Sequence, residues 1–117
     1  MTWSSTLAWT LAVEVPIVVA LAASRRWAPR RLGLVALAAF GASLMTQPIA
    51  WLADRELSLR VAPAPRWIGL ETAVTAVEAV VYVVALRLGA GRALAASVVS
   101  NAASFGVGLV LQSLARS

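Results

Sequence analysis

The sequence predicts an all-α integral membrane protein: a compact bundle of four transmembrane helices built from two helical hairpins. Of its 117 residues, 61% are hydrophobic and 13% are charged, whereas about a quarter of the residues of soluble domains are charged. Four apolar runs approach the roughly 20 residues that a spanning helix needs. We expect one membrane domain over residues 1–117, with helices at about 3–23, 32–53, 67–86 and 93–114.

The composition also excludes several kinds of catalytic, metal-binding and nucleic-acid-binding site. The chain contains no Cys and no His, which excludes disulfides, thiolate or imidazole metal sites and His-based catalytic triads. The net charge of +5 comes from arginines beside the apolar runs. A nucleic-acid partner would need a basic patch on a folded polar surface, and the sequence offers none. We expect no cofactor.

The predicted first helix, about 3–23, carries a carboxyl group inside its apolar run. Glu14 lies 11 residues before Arg25, about 16 Å along a helix, which places it near the centre of a bilayer. Pro16 removes the hydrogen bond to the carbonyl of Ala12. The run ends like a signal peptide, but it lacks a basic n-region and Glu14 interrupts it. We therefore expect it to be retained as a helix.

Arginines at the turns predict the topology. The segment RRWAPRR, residues 25–31, holds four arginines, and such clusters mark cytoplasmic loops. Arg87 and Arg92 flank the second tight turn, LGAG, which therefore lies on the same side. The prediction is a multi-pass protein of the cell membrane with both termini on the non-cytoplasmic side.

The predicted second helix, about 32–53, has a polar face that leads into the longest polar connection. The face consists of Ser43, Gln47, Trp51 and Asp54, with Thr46 beside it. The connection, residues 54–66, contains prolines at 63 and 65, which favour an extended chain. Trp51 and Trp67 flank it, as an aromatic belt at a membrane interface would.

The predicted third helix, about 67–86, contains the most polar seam of the chain. Glu71, Thr75, Glu78 and Tyr82 recur at spacings that place them on one helical face. Lipid would leave these groups unpaired, so the seam must face protein, water or an ion. Glu71 lies near the outer end, within reach of the interface or of Arg66.

The predicted fourth helix, about 93–114, combines polar and small residues on one face: Ser97, Asn101, Ser104, Gly108 and Gln112. Small residues let helices approach closely, and Asn can donate a hydrogen bond across the interface.

The two halves of the chain resemble each other. VEVPIVVAL, from Val13 to Leu21, matches VEAVVYVVAL, from Val77 to Leu86, and Ser43-x-x-Thr46 matches Asn101-x-x-Ser104. An internal two-helix repeat of this kind predicts a pseudo-twofold axis along the membrane normal. Such an axis would bring Glu14 and Glu78 toward each other in the core.

No basic residue lies at the depth of these carboxyl groups, and a charged side chain there costs about 2.5–3.5 kcal/mol. Three arrangements remain: protonated carboxyls hydrogen-bonded to Asn101, Ser43 or Tyr82, a proton shared between them, or a bound cation with oxygen ligands. The candidate residues for ion, proton or substrate binding are Glu14, Glu78, Glu71, Asn101, Tyr82, Ser104, Ser43 and Thr46.

In length, helix count and the glutamate of LAVEV in its first helix, the chain resembles the small multidrug resistance transporters. The resemblance implies a transporter in which Glu14 is the essential membrane carboxyl. The chain departs from that pattern through Glu71 and Glu78, and only Trp9 and Tyr82 are candidate aromatic contacts for a cationic substrate. The arginine bias of RRWAPRR also opposes insertion in both orientations. We do not assign the chain to that family.

Three functions remain open. The first is a proton- or cation-linked transporter that uses Glu14 and Glu78. The second is a non-catalytic accessory or assembly subunit of a larger membrane complex, and self-association into a homo-oligomer is compatible with either. The third is an intramembrane enzyme based on a carboxylate pair, which is disfavoured because four helices leave little room for a substrate cleft.

Overall fold

The computed structural model describes residues 3–27 and 31–116, and these residues form four α-helices. The helices are α1 (Trp3–Ser24), α2 (Leu32–Leu57), α3 (Pro63–Leu86) and α4 (Ala90–Arg116). Each is long and apolar enough to cross a membrane. The predicted all-helical, four-helix fold is confirmed. Arg30, part of the arginine cluster used to predict topology, lies outside the described residues.

The helices are longer than predicted around the connection between α2 and α3. The α2 helix continues to Leu57, and α3 begins at Pro63 rather than at about residue 67. The expected extended segment at the two prolines is therefore wrong. Proline is tolerated in the first turn of a helix, because the N–H that it lacks would have no partner there. Ala62, directly before Pro63, has an extended backbone, at φ −58° and ψ 152°.

The four helices pack as a ring. Each helix packs against its neighbours in the chain, and α4 closes the ring against α1. Within the described residues, the diagonal pairs α1–α3 and α2–α4 make no comparable backbone approach. The longest dimension of the molecule is 44 Å, close to the length of a helix of 26 or 27 residues at 1.5 Å per residue. The helices thus run side by side along the whole molecule.

The two ends of the ring differ in what fills them. We name the end at which α1 and α3 stop and α2 and α4 begin the arginine end, and the opposite one the termini end. Toward the arginine end, small and medium apolar side chains close the ring; they include Val18, Ala22, Val35, Ala39, Leu86, Ala93 and Ala96. Small side chains let helices approach closely. The larger apolar side chains on the outside of the bundle are mostly exposed.

Candidate functional site

Two buried glutamates occupy the middle of the ring, and Glu14 on α1 is the first. Its side chain has no exposed surface. Ser43 Oγ, on α2, donates a hydrogen bond to Glu14 Oε2 over 2.6 Å. Ser104 Oγ, on α4, donates to Oε1 over 2.7 Å. Both oxygens of the carboxyl group are therefore hydrogen-bonded, each by a different helix.

Glu78 on α3 has the same arrangement with different donors. Thr46 Oγ1, on α2, donates to Glu78 Oε1 over 3.0 Å. Asn101 Nδ2, on α4, donates to Oε2 over 2.9 Å. Glu78 also has no exposed surface, and the two carboxyl groups interact electrostatically with each other. The structure thus brings six of the eight predicted candidates into one polar layer.

One hydroxyl at each carboxyl group has a second acceptor within reach. Thr46 Oγ1 lies 3.0 Å from the carbonyl oxygen of Ala42, and Ser104 Oγ lies 3.1 Å from that of Asn101. A hydroxyl has one hydrogen and two lone pairs. It can therefore donate to an ionised carboxylate, or donate to the backbone and accept the hydrogen of a protonated carboxyl. The hydrogen bonding of the layer is compatible with both protonation states.

Each carboxyl group has one further hydrogen-bond partner. Ser43 Oγ makes its bond to Glu14. Asn101 has two amide hydrogens, and its Nδ2 also donates to the carbonyl of Ser97 over 2.9 Å. Each glutamate is therefore flanked by one such partner and by one hydroxyl that has a backbone carbonyl as an alternative acceptor.

Buried positions recur at constant offsets between the halves. Along α1 and α3 the buried pairs are Thr10 with Val74, Glu14 with Glu78, Val18 with Tyr82, and Ala22 with Leu86. Along α2 and α4 they are Val35 with Ala93, Ala38 with Ala96, Ala39 with Ser97, Ala42 with Ser100, Ser43 with Asn101, and Thr46 with Ser104. The hydrogen bonds follow the same correspondence, because Ser43 and Asn101 are matched and so are Ser104 and Thr46.

Tyr82 is buried next to this layer without joining its hydrogen bonds. Its hydroxyl has no partner within the described ranges, and the same holds for Asn101 Oδ1. The alternative in which Tyr82 hydrogen-bonds a glutamate is therefore wrong. Packing holds the ring in place, while its hydroxyl is left unsatisfied.

A cavity of about 350 Å³ enters the ring from the termini end, and we name it the vestibule. Its outer wall carries three tryptophans, Trp9, Trp51 and Trp67. Its inner part reaches Ser104, the hydroxyl that binds Glu14. The vestibule therefore connects one end of the bundle to the polar layer. Gln47 and Gln112, predicted on the polar faces of the second and fourth helices, line it too.

Two charged groups of the vestibule wall neutralise each other. Arg66 Nε donates to Asp54 Oδ1 over 2.6 Å, and Arg66 Nη1 donates to the carbonyl of Val61. The guanidinium also lies over the ring of Trp67, 5.9 Å from its centroid. This ion pair joins the end of α2 to the start of α3.

Glu71 is half-buried and lies apart from the six residues of the polar layer. The alternative that it pairs with Arg66 is wrong, because Asp54 occupies that guanidinium. In the part of the chain that the structure describes, the Glu71 carboxyl has no hydrogen-bond or ion-pair partner. It lines the vestibule and also a shallow lateral groove between α3 and α4, where Thr75 and Asn101 lie among apolar side chains.

The close packing of α1 on α4 was not anticipated from the sequence. The indole of Trp9 lies directly against Gly108, so that the glycine admits the ring between the helices. A second contact that the sequence did not reveal ties α4 to the α3 backbone: Ser97 Oγ donates to the carbonyl of Thr75 over 2.7 Å. The small residues on the predicted polar face of α4 were the available signal for both contacts.

No group of three or more acidic, His or Cys side chains within residues 3–27 and 31–116 is placed to hold a metal ion. No protein-family model matches the chain, and neither a curated protein nor a solved structure matches it. Functional inference therefore depends on the polar layer and the vestibule.

Proposed function

We propose that this chain is a multi-pass membrane protein that binds and releases protons at Glu14 and Glu78 and couples them to transport. Its four apolar helices and its exposed outer apolar side chains support a position in a bilayer. The arginine clusters support a cytoplasmic arginine end. With that topology, both termini and the mouth of the vestibule lie on the non-cytoplasmic side.

The observation that carries the proposal is the reversible hydroxyl at each carboxyl group. A buried polar group left without a partner costs about 1–3 kcal/mol. Thr46 and Ser104 remove that penalty in either protonation state, because each has a backbone carbonyl as an alternative acceptor. A purely structural carboxyl needs partners for only one protonation state. A carboxyl that cycles needs them for both.

We further propose that the chain arose from a duplicated two-helix hairpin. The matched burial positions and the matched bonds of Glu14 and Glu78 support this. In a duplication of this kind the two carboxyl groups lie at the same depth and have equivalent donors. They then form a pair that can share or exchange a proton.

The glutamate pair is open to one end of the bundle and closed to the other, which favours transport of protons over their simple storage. The vestibule opens the polar layer toward the termini end, and the apolar cluster closes it toward the arginine end. Net movement across a membrane requires a second conformation in which the arginine end opens. We propose that protonation of the pair biases the bundle between these two conformations.

The test is infrared spectroscopy of the purified full-length chain in lipid vesicles, titrated through a wide pH range. Native protein should show carboxyl bands that appear and vanish with pH, and Glu14→Gln and Glu78→Gln should each remove part of that signal. Glutamine fits either site, because its amide accepts from one neighbour and donates to the reversible hydroxyl. Glu56→Gln, at an exposed carboxyl near the end of α2, is the matched control.

Two results would contradict the proposal. The first is a carboxyl signal that Glu14→Gln and Glu78→Gln leave at its native size. The second is a native signal that responds to Na⁺ or K⁺ at constant pH rather than to pH, which would assign the site to a metal cation. Proton transport itself is followed with a pH-sensitive dye inside the vesicles, and the Glu14→Gln/Glu78→Gln double variant should abolish it.

The lateral groove supports a second candidate, an accessory subunit of a larger membrane complex. Lipid chains offer no hydrogen bonds, so the Glu71 carboxyl at the groove suits a partner helix with a polar side chain. This alternative predicts that the chain co-purifies in mild detergent with a larger protein in fixed proportion. It also predicts that Gln at positions 14 and 78 is tolerated without any loss of function, whereas Leu disrupts assembly.

A further inference from the structure

The two halves of the chain differ at positions where their burial pattern otherwise matches. Glu71 on α3 corresponds to Leu7 on α1, and both residues line the vestibule. Tyr82 corresponds to Val18, and both are buried. At these two positions α3 therefore carries polar groups that α1 lacks and that the hydrogen bonding of the glutamate pair does not require. Their placement suggests a task separate from holding the two carboxyl groups.

Glu71 carries the vestibule's uncompensated charge. Among the described residues that line the cavity, the ionisable side chains are Asp54, Arg66 and Glu71, and the first two are bound to each other. Glu71 has no ion-pair or hydrogen-bond partner in the described ranges, and it interacts electrostatically with Glu78 and Glu14. A free carboxylate in an open cavity attracts cations, and the smallest of these is the proton.

The distance from Glu71 to the pair requires an intermediary. Glu71 and Glu78 lie seven residues apart on one helix, about 10 Å along its axis, which is too far for direct transfer. The vestibule, of about 350 Å³ and lined by both apolar and polar side chains, is large enough to hold several waters. Glu71 and Ser104 both line that cavity, and Ser104 Oγ binds Glu14 Oε1. Glu71 and Ser104 therefore share one cavity that water can fill.

We propose that Glu71 is the group through which protons enter, and that it delivers them to Glu14 by way of vestibule water and Ser104. This inference rests on the proposed function of the glutamate pair. A hydronium ion at the mouth gives its proton to the Glu71 carboxylate, which passes it to vestibule water. That water protonates Ser104 Oγ as the hydroxyl's own hydrogen moves to Glu14 Oε1. Each transfer before Ser104 breaks one O–H bond and forms another, and the relay through Ser104 breaks two O–H bonds and forms two.

The rate at which Glu14 and Glu78 gain protons distinguishes proton delivery by Glu71 from a purely structural role of that residue. Full-length protein in vesicles is subjected to a pH jump, and time-resolved infrared spectroscopy follows the conversion of the Glu14 and Glu78 carboxyl bands. Glu71→Gln and Glu71→Ala should slow this conversion by about 100-fold, the lower end of what a positioned proton donor contributes. The final amplitude should stay native. Glu56→Gln, which removes an exposed carboxylate outside the vestibule, should leave the rate unchanged.

Rescue by a small acid makes the test specific. Added formate should restore the rate in Glu71→Ala, where the missing side chain leaves room for it, and should do little to native protein. A rate in Glu71→Gln within twofold of native, or a slowed Glu71→Ala that formate does not rescue, would overturn the role of Glu71. If native protein shows no pH-dependent band from Glu14 or Glu78, the proposed function itself fails. The two failures are therefore distinguishable.

Discussion

The contact between Trp9 and Gly108 gives the sharpest packing prediction. A Cβ atom built on Gly108 would lie 2.6 Å from Trp9 Cη2 and 2.8 Å from Cζ2. These distances fall well inside van der Waals contact, so Gly108→Ala must displace the indole or separate α1 from α4. Overpacking of this kind costs about 1–3 kcal/mol. Alanine also favours a helix over glycine by about 1 kcal/mol, which offsets part of that penalty.

Gly106 provides the matched control on the same helix. A Cβ at this position meets nothing within 4 Å, so Gly106→Ala gains the helical preference without the collision. Because the propensity gain is common to both variants, their difference isolates the collision: Gly108→Ala should be less stable than Gly106→Ala by about 1–3 kcal/mol. The assay is reversible unfolding in mixed micelles, with Trp fluorescence as a second probe. Equal stability of the two variants would refute the close packing of Trp9 on Gly108.

Three other substitutions test the polar contacts through the free energy of unfolding. Tyr82→Phe should leave the free energy of unfolding unchanged or raise it by about 1 kcal/mol, because the lost hydroxyl is buried without a partner. A clear loss of stability would mean that the hydroxyl is hydrogen-bonded. Ser43→Ala should lower the free energy of unfolding by about 0.6–1.7 kcal/mol, from the average to the largest value measured for hydrogen bonds between membrane helices. Ser58→Ala, at an exposed position, should leave this free energy unchanged. Equal effects of the two substitutions would contradict a buried bond between Ser43 and Glu14. Arg66→Lys should lower the free energy of unfolding by about 1 kcal/mol, because a lysine ammonium lacks the planar guanidinium geometry that binds two acceptors at once. Arg60→Lys, at an exposed position, is the control. Equal stability of the two variants would show that the guanidinium geometry of Arg66 does not matter.

Of the three arrangements left open by the sequence, the hydrogen bonds of the carboxyl groups to Ser43 and Asn101 are the ones that depth supports, because depth can be counted from a turn. Glu14 and Ser43 lie at similar distances from the RRWAPRR segment, and Glu78 and Asn101 are each nine residues from the arginines of the second turn. Residues at equal depth on the two helices of a tight hairpin lie opposite each other. The bonds between Ser43 and Glu14 and between Asn101 and Glu78 follow that rule.

The hydrogen bonds between the two hairpins could not be predicted by counting depth from a turn. Ser104 reaches Glu14, and Thr46 reaches Glu78, only because α4 closes against α1 and α2 packs against α3. Which hairpin faces touch depends on side-chain packing over the whole ring, and hydrophobic periodicity does not determine that. For the same reason, the sequence could not predict that the Tyr82 hydroxyl has no hydrogen-bond partner. It lies on the predicted polar seam, yet the ring places no acceptor beside it.

The relation between the halves constrains how the proposed transport can work. Transporters with inverted repeats change access when the two halves exchange conformations. Here both hairpins begin at the termini end and turn at the arginine end, so an exchange of conformations between them would leave the vestibule on the same side. Access must instead change through opening of the apolar cluster at the arginine end, where Val18, Ala22 and Leu86 close the ring. Those side chains are apolar, and the proposed protonation of the adjoining polar layer would reverse the hydroxyls of Thr46 and Ser104. The ring therefore places an apolar closure beside a layer whose hydrogen bonds are compatible with two protonation states, which are the two parts that the proposed proton-driven change of access requires.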